Sequence, residues 1–228
     1  MSFVPTRRFP AHLSKTAKAV GGKGAGVSVS QQINDVVRRV PAWLLYIAAP
    51  IPAVWWFYQG LTGGLGPEPI RELEYLYGEF ALQLLIAGLA VTPLRVFAGL
   101  SLIKYRRAIG VISFSYVFLH LTVWLFLDVQ VWSEIWADII KRPYITIGML
   151  GFLALLPLAM TSNNLSVRKM GPLRWRKLHK LTYLAVTLGG VHFVMLVKGW
   201  QVAPMLYLGT ILALLALRLV PRRKRAAA

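Results

Sequence analysis

Apolar residues in this chain come in runs rather than in the stripes of amphipathic helices. Six runs, at about 41–59, 79–98, 108–127, 144–161, 178–197 and 202–220, each approach the roughly 20 residues that a helix needs to cross hydrocarbon. Charged residues are confined to the segments between them. The pattern predicts an all-α integral membrane protein, a six-transmembrane-helix bundle spanning residues 41–221. Pro50 and Pro52 interrupt the first run and predict a kink there, with neighbouring helices satisfying the carbonyls that the prolines free. Trp43, Trp55, Trp56, Trp132, Trp136 and Trp200 fall near the ends of runs, where amphipathic rings meet the membrane interface.

Composition agrees with the pattern. The 228 residues are 57% hydrophobic and 15% charged, with a mean hydropathy of +0.58. Residues 1–40 carry seven Lys or Arg and a single acid, and are expected to form a basic, flexible cytoplasmic tail; residues 222–228 form a basic C-terminal stub. The tail lacks the apolar core of a cleaved signal peptide. Its GGKGAG stretch lacks the spacing of a phosphate loop.

The formal charge of +18 is sorted by segment. Twenty-two of the 26 Lys and Arg fall in the N-terminal tail, 95–107, 162–180 and the C-terminus, whereas seven of the eight acids fall in the alternate segments. By the positive-inside rule both termini are cytoplasmic. The charge is therefore a topology signal with an attraction to anionic membrane lipid, and no nucleic-acid partner is expected.

The absence of cysteine excludes iron–sulfur clusters, Cys-bound zinc and covalently attached haem, leaving histidine as the ligand for a redox metal. There are four histidines. His12 lies in the tail, while His120, His179 and His192 lie in or at the edge of predicted spans, where ionisable groups are expensive. Counting 1.5 Å per residue from the basic side, His120 is roughly 18 Å and His192 roughly 21 Å into their spans. Two imidazoles at one depth on different helices can ligate one haem iron from opposite faces. Tyr116 lies one turn before His120, and Gly189 and Gly190 just before His192 would let a porphyrin approach the backbone.

His179 is about 19.5 Å nearer the basic side than His192 and about 140° round the helix. It reads as a ligand to an inner haem or as part of the place where electrons enter. No further intramembrane histidine pairs with it; Arg106 stands where one would. Arg106 and Arg107 suit haem propionates, since guanidinium pairs with carboxylate, and they equally serve as topological anchors. No Asp, Glu or Lys occupies the middle of a predicted span, which argues against an ion-coupled transporter. No hydrolase motif occurs, and few residues follow the last span, so electrons are expected from a separate donor.

TPLR (92–95), RRAIGVISFSYVFLHL (106–121), TSNN (161–164) and MGPLRWRKLHKLTYLAVTLGGVHF (170–193) together resemble the MsrQ (YedZ) family of haem-binding membrane subunits. The resemblance covers roughly residues 41–220. It implies a ferric-reductase-like transmembrane domain in the bacterial inner membrane, with His120, His179 and His192 matching the family's histidines. It also implies one or two b-type haems, an associated FMN, and a quinone or cytosolic flavin reductase as donor. The implied acceptor is a periplasmic molybdopterin-containing methionine-sulfoxide reductase that repairs oxidised proteins. Two rival expectations are a ferric or quinone reductase acting directly on a small substrate, and a cofactor-free membrane assembly or transport protein.

Overall fold

The computed structural model describes residues 28–197, 199 and 201–219. His12, Trp200, most of the N-terminal basic segment and the C-terminal stub lie outside the described residues. Eleven α-helices follow in order: α1 (Val29–Arg39), α2 (Trp43–Ala48), α3 (Pro50–Leu61), α4 (Pro69–Phe97), α5 (Arg106–Val123), α6 (Trp132–Lys141), α7 (Pro143–Met160), α8 (Asn164–Met170), α9 (Pro172–Leu178), α10 (Leu181–Leu196) and α11 (Val202–Ala216). A π-helical segment, Trp124–Val129, extends α5. Proline opens α3, α4, α7 and α9 at the position where a missing N–H costs no intrahelical bond.

Three stretches, Pro69–Phe97, Ile103–Val129 and Pro143–Met160, are long and apolar enough to cross a membrane, and the pair Val29–Arg39 with Trp43–Leu61 passes if taken as one bent span. The last two predicted runs are realised as α10 and α11, of 16 and 15 residues. Helix α4 is the shared wall of the bundle. Its Leu73, Tyr77 and Ala81 pack with Ala108, Ile112 and Tyr116 of α5, while Leu82, Leu85 and Leu89 join Leu155 and Leu158 of α7, Ala185 and Val186 of α10 and Ile211 of α11. A third cluster, Trp124, Ile135 and Ile145, ties the end of α5 to α6 and the start of α7.

Proline chemistry explains a contact at the basic end. Pro93 lacks the N–H that the Leu89 carbonyl would accept. Arg218, just beyond α11, donates Nη2 to that carbonyl at 2.6 Å and Nη1 to the Tyr183 hydroxyl at 2.7 Å.

Several expectations are corrected. The sharp bend in the first apolar segment, 71°, falls between Arg39 and Trp43 rather than at Pro50 and Pro52. Ala49, beside Pro50, keeps helical angles. The hydroxyls of Tyr116 and Tyr77 donate to the carbonyls of Ala49 and Ala53, which braces this proline-rich turn from α5 and α4. Trp56 packs against Phe80, Tyr77 and Tyr116.

The last part of the expected flexible tail is instead a docked helix. A capping box at Ser28 and Gln31 starts α1. Asn34 donates to the Gly99 carbonyl at 2.9 Å and accepts from the Ser101 N–H at 2.8 Å. Lys104 and Tyr105 donate to the last carbonyls of α1, at Val37, Arg38 and Val40. These bonds satisfy a helix end that would otherwise be orphaned.

Asn34→Ala removes two hydrogen bonds and is expected to loosen α1 by about 1–2 kcal/mol. Amide hydrogen exchange should report lost protection over residues 29–39 with α4 unchanged. Unaltered protection of α1 would show that these bonds do not hold it.

Candidate functional site

His120 projects from α5 and His192 from α10, and their ring centroids lie 6.1 Å apart with the planes at 80°. Each ring is fixed by the same device. His120 Nδ1 is 2.9 Å from the carbonyl oxygen of Glu74 on α4, and His192 Nδ1 is 2.7 Å from that of Tyr144 on α7. A carbonyl only accepts, so the proton of each neutral ring sits on Nδ1 and donates. Each Nε2 is left with its lone pair, the state in which imidazole binds a metal.

Four residues after each of those carbonyls stands a glycine. A Cβ on Gly78 would lie 2.9 Å from His120 Nδ1, and one on Gly148 would lie 2.8 Å from His192 Nδ1. The bare glycine is what lets each ring reach a carbonyl already engaged within its own helix; an oxygen with two lone pairs can accept both bonds.

A transition metal sits about 2 Å from an imidazole nitrogen, so one ion between two facing rings puts their centroids about 6 Å apart. The observed separation fits. Among the described residues no group of three or more His, Asp or Glu gathers round a metal position. A two-imidazole donor set suits an iron whose other four positions belong to a planar macrocycle, which is haem. The Glu74 carboxylate stands at the margin, with Oε1 4.0 Å from His120 Nε2.

The remaining predicted residues lie elsewhere. Tyr116 belongs to the aromatic cluster with Trp56, Tyr77 and Phe80. A Cβ on Gly190 would meet Ile211 Cδ1 at 2.8 Å, and one on Gly189 would meet Leu82 Cδ1 at 3.4 Å, so both serve helix packing. His179 lies between α9 and α10, outside the spans, stacked on Trp175 with 3.8 Å between centroids. Its Nε2 is 3.2 Å from the Thr161 hydroxyl, which itself donates to the Pro157 carbonyl at 2.6 Å. Thr161 therefore accepts from Nε2–H, and Nδ1 carries the lone pair. Burial, then the positive charges of Arg106 and Arg107, hold the His179 pKa below the ordinary imidazole range. Arg107 donates to Asn164 Oδ1 at 2.7 Å, and neither arginine forms an ion pair among the described residues.

The pairing glycines Gly78 and Gly148 escaped the sequence reading. The usable signal was the near-equal spacing Gly78 to His120 and Gly148 to His192, 42 and 44 residues. It marks two similar helix pairs, α4 with α5 and α7 with α10, that present their histidines to one another.

Residues 75–190 match the family described as ferric reductase like transmembrane component. With its apolar helices, the protein is a multi-pass integral membrane protein of that class. Relatives named protein-methionine-sulfoxide reductase heme-binding subunit MsrQ, from Brucella ovis, Brucella canis and Brucella suis, are each 49% identical over 178 residues, 78% of this chain and 80% of theirs. The chain belongs to the MsrQ family. No solved structure matches it.

Gly78→Ala and Gly148→Ala are each expected to displace one imidazole and to weaken or shift the low-spin absorption bands of the haem-loaded protein. Gly190→Ala should lower thermal stability and leave those bands in place. Spectra unchanged in the first two variants would show that the glycines do not set the ring positions.

Proposed function

We propose that this chain is the haem-binding electron-transfer subunit of a protein-methionine-sulfoxide reductase system, with a b-type haem between His120 and His192. The observation that carries the reading is a pair of imidazoles 6.1 Å apart between centroids, each with Nδ1 tied to a carbonyl, of Glu74 or Tyr144, so that Nε2 keeps its lone pair. Family membership supports it, since the Brucella relatives carry that description. When bound between His120 and His192, haem would supply a one-electron carrier.

The chain's own residues have separate tasks. His120 and His192 hold the metal, and the two carbonyls orient the rings and raise their basicity. Arg106 and Arg107, without carboxylate partners among the described residues, offer positive charge to anionic parts of a cofactor at the basic end, whether propionates or the phosphate of FMN. His179 stands beside them as a candidate ligand for a second haem. The wider assignment is a six-span subunit of the bacterial inner membrane, with cytoplasmic termini. It links a quinone or cytosolic flavin reductase donor to a periplasmic molybdopterin-containing reductase.

The test is an optical spectrum of the detergent-purified protein, oxidised and dithionite-reduced, with haem counted per chain as the pyridine haemochrome. Sharp low-spin b-type bands are expected, and His120→Ala or His192→Ala should abolish those of the haem between the rings. A colourless protein after haem-supplemented expression, or normal spectra in both variants, would overturn the assignment.

A further inference from the structure

Helix α1 is docked on one side only, and its apolar side is left open. Val29, Ile33 and Val36 fall within about 60° of arc round its axis, and Val40 carries the stripe on at the C-cap. All four are exposed, Val29 at 71% and Val36 at 62%. The docked side is a different one: Ser30, Asn34 and Val37 recur at helical spacing, are half-buried, and turn towards Gly99–Tyr105. The third side is polar and exposed, with Gln31, Asp35 and Arg38. Arg38, two residues on from Val36, lies about 160° away round the axis. A helix built this way needs an apolar medium along its stripe and water along the opposite face.

Its place in the fold supplies both. The segment Trp43–Leu61 follows directly; at 1.5 Å per residue it is about 28 Å long, close to the roughly 30 Å of a hydrocarbon core. Helix α1 leaves that segment at 71°, so it runs nearly along the surface of a bilayer that Trp43–Leu61 crosses. Its 11 residues, about 16 Å of helix, are too few to cross a bilayer themselves. Trp43 is exposed at the junction, where tryptophan favours the interface. The bonds from Lys104 and Tyr105 to the α1 carbonyls hold the helix level with the end of α4 and the start of α5. Arg38, Arg39 and Lys104 are exposed at that level and complement phosphate head groups. The one acid of α1, Asp35, lies 3.8 Å from Arg38.

We infer that α1 lies in the lipid–water interface at the basic end of the bundle, with Val29, Ile33, Val36 and Val40 inserted among acyl chains and Arg38 in water. Arg39, about 100° round from Arg38, stands at the edge of the stripe. A long side chain there lays its apolar stem on lipid and its guanidinium among the phosphates. Through its bonds to residues 99–105, α1 ties the loop that leads into Arg106 and Arg107 to the membrane surface. Nothing in this placement depends on a haem. The rival occupant of the stripe is a second copy of the chain.

The chain has no cysteine, so Val36→Cys and Arg38→Cys each provide a single site for a fluorescent nitrobenzoxadiazole label. The labelled full-length protein is placed in nanodiscs of phosphatidylcholine and phosphatidylglycerol and exposed to two quenchers, a phospholipid with a nitroxide high on its acyl chain and aqueous iodide. The Val36→Cys label is expected to be quenched about threefold more by the lipid nitroxide than the Arg38→Cys label, with the order reversed for iodide. Ile33→Cys repeats the measurement on the stripe if Val36→Cys fails to assemble. Equal quenching of the two labels, or stronger iodide quenching on the stripe, overturns the placement. A stripe label shielded from both quenchers also overturns it and gives the face to a second copy of the chain.

Discussion

A helix carbonyl has one lone pair to spare, and this fold uses two such carbonyls to fix a pair of neighbouring imidazoles. The Glu74 and Tyr144 carbonyls each accept an imidazole Nδ1–H from a neighbouring helix. Such a bond normally fails because the side chain four residues on covers the oxygen. Glycine at 78 and 148 removes that cover. The consequence reaches past local geometry: it fixes the proton on Nδ1, frees Nε2, and brings two rings to a separation that suits a single iron.

That arrangement requires the helices to be held in register. Tyr77 and Ala81 of α4 bury against α5 on one side of Gly78, and Leu82 and Leu85 bury against the α7, α10 and α11 cluster on the other. A slip of one turn between α4 and α5 would move His120 about 5.4 Å and break its carbonyl bond. Trp124, Ile135 and Ile145 do the same for the start of α7, which carries Tyr144. The π-helical segment beginning at Trp124, one turn after His120, turns the chain towards α6 without breaking the buried contact.

Much of this was legible in the chain. Apolar runs of span length gave the helices, and counting residues from the basic segments put His120 and His192 at one depth. What was not legible depends on proximity across helices. Gly189 and Gly190 drew attention by standing next to His192 in sequence, while the glycines that touch the rings are more than 40 residues away. Tyr116 looked like a neighbour of His120, but one helical turn also rotates a side chain slightly round the axis, and its ring faces Trp56 and Phe80. Helix α1 was hidden for a different reason. Its stability comes from Asn34, Lys104 and Tyr105, contacts made 64 to 68 residues apart. Hydropathy also started α4 too late, because a helix continues through polar turns when Pro69 opens it and Leu73 and Tyr77 bury its inner face.

The two ends of the bundle are chemically unequal, and hydrogen bonding shows how. At the paired end both Nδ1 atoms are committed and, among the described residues, neither Nε2 makes a hydrogen bond. At the basic end the commitment is reversed: His179 Nε2 is bound to Thr161, and the ring lies flat on Trp175. A metal approaching Nε2 would have to displace Thr161, while one approaching Nδ1 would meet the free lone pair. The positive charges of Arg106 and Arg107 oppose a cation there and favour an anion. A haem at this end brings its own negative propionates, which those arginines could neutralise, whereas a bare metal ion would bring only repulsion. The same sequence symmetry that pairs Gly78 with His120 and Gly148 with His192 has no counterpart for His179, so any cofactor it holds is held by different means from the one between the paired rings.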